Sequence, residues 1–306
     1  MIVYLLGWQG NGNIGDDLMA ELWIAENPLD SDNVYSYKRS YMIKGIKGCS
    51  LLSSIWYMIK SDKLVLSGGN ALIFVRFRSY LKGGALMILF ALRKALNKCT
   101  VIDSFGLDLK ASVFKRHLSV FIIRFVDSVC FRDELSFRYV KFLSGLNSNN
   151  KSKYSLNIDR VLREKKSLIE MAQSNEKLSI KGSYIMWFVS GLASERNTNR
   201  GLYANNVICE IKNEILLDSC TVVLFCQDVF DRNRAKYLVS KYRFNKYIYY
   251  TYSYDALGYA LKLILNSNLV ITERYHGYIM AEVFDKKCFV LPVTEKLKRA
   301  YTGGAS

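Results

Sequence analysis

Ile2-Val3-Tyr4-Leu5-Leu6, running into Gly7-Trp8-Gln9-Gly10-Asn11-Gly12-Asn13-Ile14-Gly15-Asp16-Asp17, is the stretch whose reading decides the fold. Five apolar residues in a row suit a strand buried on both faces of a parallel sheet. The glycine-rich segment after them is a turn, and the spacing predicts a helix over residues 18–25, stopping before Pro28. Strand, glycine-rich turn and helix in that order open a nucleotide-binding α/β domain.

The same order recurs along the chain. Lys63-Leu64-Val65-Leu66-Ser67-Gly68-Gly69-Asn70 is a strand ending in paired glycines, followed by helical apolar spacing over 81–96. Strands are expected at 100–106 and 129–133, the latter leading into a helix over 134–143. Residues 144–155 are rich in Asn, Ser and Lys, and 160–177 form a charged helical connector. Strands follow at 184–189, 221–226, 247–250, 269–272 and 288–291, with helices at 208–217, 255–265 and from Gly277 to about 284. Alternation at this interval implies parallel sheets covered by helices. The expected fold is α/β: two Rossmann-like parallel-sheet domains, residues 1–165 and 166–306, facing a cleft.

Composition narrows the function classes. In 306 residues, half are hydrophobic and only two are Pro, which excludes a disordered or turn-rich chain. Seven scattered cysteines with no CxxC pair read as buried thiols of a reducing compartment, with neither a disulfide framework nor a metal site. The N-terminal apolar run is too short for a secretory signal, and the run at 84–92 is too short to span a bilayer; the expected location is cytoplasmic. The net charge of +16 calls for an anionic partner. No nucleic-acid-binding signature is present. Basic and apolar residues interleave in Phe74-Val75-Arg76-Phe77-Arg78 and from Phe114-Lys115-Arg116 to Ile123-Arg124-Phe125. These stretches read either as helices with a core face and snorkelling cations or as peripheral contacts with the inner face of a membrane.

Ligands of open parallel sheets sit beyond the carboxyl ends of the strands. The residues placed there are Asn13, Gly15 and Asp16; Gly68, Gly69 and Asn70; Arg132-Asp133; Gln227-Asp228; Arg274-Tyr275-His276-Gly277; and Lys296. Two aspartates in the first turn of a helix compete with an anion for its dipole, so the first loop reads better with Asp16 as a helix cap than as a dinucleotide cradle. Arg274 and His276 are sharper candidates. A guanidinium takes a carboxylate or phosphate in bidentate fashion, an imidazole transfers a proton, and a helix N-terminus adds backbone donors.

Taken in order, Gly12-Asn13-Ile14-Gly15-Asp16, Ser67-Gly68-Gly69-Asn70-Ala71-Leu72, Phe131-Arg132-Asp133-Glu134-Leu135-Ser136 and Ile271-Thr272-Glu273-Arg274-Tyr275-His276-Gly277 resemble the polysaccharide pyruvyl transferase family. The resemblance implies a GT-B-like fold. It also implies transfer of pyruvate from phosphoenolpyruvate, as a ketal, onto a sugar of a cell-surface glycan or its lipid-linked precursor. Phosphoenolpyruvate is then a donor substrate and no cofactor is implied. The family's functional arginine, histidine and lysine fall on Arg132, His276 and Lys296, with Lys298 the neighbouring choice. On this reading Arg132, Arg274 and Lys296 clamp the donor's anionic groups, His276 protonates the leaving phosphate, and Asp16 is the base for the acceptor hydroxyl. The chain ends earlier than such proteins usually do, and no Asp-Pro segment marks the junction. A nucleotide-sugar glycosyltransferase of GT-B type and a non-catalytic glycan- or membrane-binding relative are the alternatives.

Overall fold

A computed structural model describes residues 1–7, 12–28, 33–37, 45–67, 77–107, 112–143, 153–157, 159–174, 180, 182–191, 209, 220–291 and 297. The chain divides into two compact units, Met1–Arg163 and Glu164–Ser306.

The first unit begins with β1 (Val3–Leu6), α1 (Ile14–Glu26), β2 (Val34–Tyr37) and β3 (Ile46–Cys49). It continues with α2 (Leu51–Lys60), β4 (Lys63–Ser67), α3 (Phe77–Ala95), β5 (Cys99–Phe105) and α4 (Val113–Ile123), and closes with β6 (Ser128–Phe131), α5 (Glu134–Leu143), β7 (Tyr154–Leu156) and α6 (Arg160–Arg163). The seven strands are parallel in the order β3-β2-β1-β4-β5-β6-β7, so the strand order reverses between β1 and β4. Right-handed crossovers then place α2 to α5 on one face and α1 on the other. One core confirms that grouping: Leu64, Phe90, Ile102, Ile122, Phe131 and Val140 pack together, with Tyr57 and Met58 of α2 and Phe137 of α5 against them.

A buried arginine ties this layer to the sheet. Arg93 of α3 is fully inaccessible. It donates to the Met58 and Ser61 carbonyls at the end of α2 (2.8 and 3.1 Å) and to Thr100 Oγ1 (3.0 Å) and the Cys99 carbonyl (2.6 Å) at the start of β5. The last carbonyls of a helix have no partner within it, and here a guanidinium from the neighbouring helix supplies one.

The second unit contains α7 (Lys165–Gln173), β8 (Tyr184–Phe188), β9 (Thr221–Cys226), α8 (Val229–Tyr242), β10 (Tyr247–Thr251), a single 3-10 turn (Tyr254–Ala256) running into α9 (Leu257–Leu265), β11 (Leu269–Thr272), α10 (Tyr275–Val283) and β12 (Cys288–Val290). Its five parallel strands run β10-β9-β8-β11-β12, and the order reverses between β8 and β11. Every residue of β8 and β11 is buried, as expected for strands covered on both faces.

Several sequence expectations are corrected. Helix α1 starts at Ile14, not at residue 18, because the Asn13 side chain accepts from the Gly15 N–H and caps it; Asp16 is not the cap. Strands β2, β3 and β7 and helices α2 and α8 were not anticipated. Cys49, Cys220 and Cys226 are buried, but Cys99 and Cys209 are exposed. The helix expected at 208–217 lies, apart from Cys209, outside the described residues. Among the described residues, no helix is long and apolar enough to cross a membrane.

Candidate functional site

The strongest constellation gathers at the carboxyl ends of β8, β9 and β11, at the point where the second sheet's strand order reverses. In open α/β sheets the crevice at such a reversal is where ligands bind. The loop Val189-Ser190-Gly191, after β8, is held there by two buried acids. Glu273, following β11, accepts from the Ser190 N–H at 2.9 Å and pairs with Arg234 of α8 at 3.2 Å. Burial pushes its carboxyl up, against the pull of Arg234 and the Ser190 N–H. Asp231, in the first turn of α8 and fully buried, accepts from the Gly191 N–H through one oxygen and from the Gln227 N–H through the other, both at 2.8 Å. Asp228 caps α8 by accepting from the Asp231 N–H.

Arg274 closes the framework. Its Nε donates to the Val189 carbonyl at 2.8 Å, and one terminal nitrogen pairs with Asp231 and lies 3.7 Å from Asp228. Its backbone is pinned as well: Thr272 Oγ1 accepts from the Arg274 N–H at 3.0 Å and donates to the Arg274 carbonyl at 2.7 Å. The structure therefore gives Arg274 internal partners within the loop framework.

Two glycines allow these elements to approach. A Cβ on Gly191 would stand 2.5 Å from Phe230 Cβ and 2.6 Å from the Phe230 carbonyl carbon; one on Gly277 would stand 2.7 Å from Phe188 Cγ and collide with Thr272 Oγ1. Gly277 thus lets the first turn of α10 sit directly on β8 and β11. That turn carries His276, half-buried and edge-to-face with Tyr275 at 5.2 Å between ring centres. Arg274 occupies the N-cap position of α10, and its own side chain makes no capping hydrogen bond. Gln227, at the end of β9, is buried, and its Oε1 has no hydrogen-bond partner among the described residues.

In the first unit the sequence-chosen residues also stand at strand ends. Asn13 caps α1 and its Nδ2 donates to Asp16 Oδ2 at 2.6 Å; Gly15 is buried in the first helical turn and Asp16 half-buried. Arg132 follows β6, its N–H bonded to the Phe105 carbonyl at 3.1 Å. Its guanidinium lies so close over Gly106 that a Cβ there would meet Nε at 2.7 Å. Asp133 accepts from the N–H and hydroxyl of Ser136 (2.8 and 2.7 Å), and the Ser136 oxygen accepts from the Leu107 N–H at 2.8 Å. Just before Gly106, Ser104 takes φ +56° where the β5–β6 register shifts, the kind of strain that marks functional strand ends. Gly68, Gly69 and Asn70, directly after β4, lie outside the described residues, as do Lys296 and Lys298.

Sequence reasoning missed Asp231, Arg234, Gly191 and Gly106, and gave Ser136 of the Phe131–Ser136 motif no role. Asp228-x-x-Asp231 was a legible helix-start pattern. No single-residue signal pointed to the glycines. Among the described residues no group of three His, Cys, Asp or Glu side chains could hold a metal ion.

Two doubly wound units with polar residues at their strand ends define a GT-B-like fold, and comparison with solved structures supports that class. The chain is similar to UDP-GlcNAc 2-epimerase from Methanocaldococcus jannaschii (13% identity, covering 99% of this chain and 87% of that one, TM-score 0.57). It is likewise similar to the S. aureus MnaA–UDP co-structure (12% identity, covering 99% and 82%, TM-score 0.63). At these identities the likeness concerns the fold. No curated protein is significantly similar to the chain. The family model for polysaccharide pyruvyl transferase matches residues 13–295, and the chain belongs to the polysaccharide pyruvyl transferase family.

Proposed function

We propose that the chain transfers pyruvate from phosphoenolpyruvate, as a ketal, onto a sugar of a cell-surface glycan or its lipid-linked precursor. Family membership supports pyruvyl transfer in general. The observation that carries the reading further is the placement of His276 in the first turn of α10, a turn seated against β11 by Gly277. Backbone N–H groups at a helix N-terminus favour a phosphate.

In this scheme the donor's methylene carbon takes a proton and becomes the methyl group. One sugar hydroxyl oxygen bonds to the central carbon, a second does the same, and the bond from that carbon to the phosphate oxygen breaks. Of the two hydroxyl protons, one balances the methyl proton and the other leaves with the phosphate. His276 is assigned the proton on phosphate, and Asp16, oriented by Asn13, the proton of an acceptor hydroxyl. Arg132 and Lys296 are assigned the donor's anionic groups. Arg274, with its internal partners, is assigned positioning: it holds Val189 and Asp231 and so keeps the loop after β8 in place.

Calorimetry with phosphoenolpyruvate tests this. Wild-type chain is expected to bind, and Arg132→Ala and His276→Ala each to weaken binding about tenfold or more, the loss of a charge-assisted contact. A folded wild type that ignores phosphoenolpyruvate, or variants that bind as tightly, would overturn the assignment.

A further inference from the structure

Helices α2 to α5 bury one side in the core of the first unit, yet their outer sides are also apolar. On α3, Leu81, Ala85, Ile88 and Leu92 follow one another at spacings of four, three and four residues, all exposed, with Ile88 at 66%. This is the stripe of an amphipathic helix, on the opposite side from Phe90, which is in the core. The neighbours repeat the pattern: Leu52 and Trp56 on α2 (79% and 53%), Phe114 and Phe121 on α4 (68% and 46%), Phe142 on α5 (83%). Each helix packs against the next, so the residues share one layer. Single exposed apolar residues are ordinary, but a layer of them marks an interaction surface.

Charge identifies the partner. Exposed cations stand among these residues: Lys60 on α2, and Arg138 and Lys141 on α5. Glu134 is the one acidic residue in the four helices, and it is paired with Arg138 at 2.6 Å. Two copies of the chain meeting through this layer would oppose cation to cation. An anionic bilayer would take the apolar side chains at the headgroup boundary and match the cations with lipid charge. We infer that the outer layer α2–α5 docks the protein on an anionic membrane surface. The inference stands whether or not the chain transfers pyruvate.

The full chain is mixed with vesicles of phosphatidylcholine alone or with an equal part of phosphatidylglycerol, and floated on a density gradient. Anionic vesicles are expected to carry the protein, neutral vesicles at least tenfold less of it, and raised salt to release it. Leu52→Glu combined with Ile88→Glu, and separately Lys60→Glu combined with Lys141→Glu, are expected to lower binding more than tenfold, since each cation at an anionic surface contributes about fivefold. All four positions are exposed, and circular dichroism with thermal melting checks that the variants fold. Protein that stays at the bottom with anionic vesicles would overturn the proposal, as would folded variants that float like the wild type. So would a stable dimer, seen by sedimentation velocity, that Leu52→Glu and Ile88→Glu split into monomers while vesicles remain unbound.

Discussion

Single residues at the strand ends carry different burdens, and substitution separates them. Gly277→Ala drives a methyl group into Phe188 and Thr272, and overpacking of this kind costs about 1–3 kcal/mol; urea unfolding of the variant is expected to show it. Arg274→Ala leaves Asp231, fully buried, without its guanidinium, a loss of about 3 kcal/mol, so a fall in activity there should track a fall in stability. Gly106→Ala is the opposite case. The atoms in the way are the mobile end of Arg132, so the guanidinium shifts while the fold survives; the expected result is weakened phosphoenolpyruvate binding with an unchanged melting temperature. Lys153 offers a pH test. Burial, reinforced by Lys94, pushes its ammonium down to about 8, below the ordinary lysine value. Between about pH 8 and 10 the unfolded chain holds this proton and the folded chain does not, so this residue's contribution to stability rises with pH. Because the side chain is partly exposed, the gain is discounted to about 1–2 kcal/mol. Urea midpoints at pH 8 and 10 should show it in wild type and lose it in Lys153→Met.

At the scale of elements, α2 and α3 are joined to β5 by one side chain. Replacing Arg93 with Met is expected to cost about 3–5 kcal/mol, because it abandons the carbonyls of Met58, Ser61 and Cys99 in a dry interior; a chemical denaturation curve would read this directly. Elements with continuous apolar runs, such as β1, β4, β8, β9 and β11, were legible from sequence because strands buried on both faces need no alternation. Helix α5 was legible to the residue, since Asp133 and Glu134 mark its start. What escaped were short outer strands and one polar helix. Strand β3 is only Ile46–Cys49 and contains a glycine, and β7 is three residues long with two of them exposed. Helix α8 has charged residues on several sides, with only Ala235 and Leu238 among its apolar residues turned fully inward, so no apolar period announces it. That omission hid Asp231 and Arg234. The positions of Arg132 and His276 directly after strands were legible in their motifs, whereas supporting residues supplied by a distant segment were not.

At the scale of the whole molecule, the repetition of strand, loop and helix pointed correctly to two parallel-sheet units, because each sheet is built by one crossover rule applied repeatedly. Sequence alone weighed the basic-apolar stretches evenly between core helix and membrane contact; α4 has a core side, with Ile122 and Ile123 inward, and an exposed apolar side carrying Phe114 and Phe121. Helix α3, apolar on its inner and outer sides alike, has a practical consequence. Cells broken in dilute buffer should yield the protein mostly in the envelope pellet. Its recovery should require salt and a mild detergent together, since each removes only one of the two attractions. Exchanging Leu52, Ile88 and Phe114 for polar residues should move it to the clear lysate, giving material better suited to concentration and crystal growth.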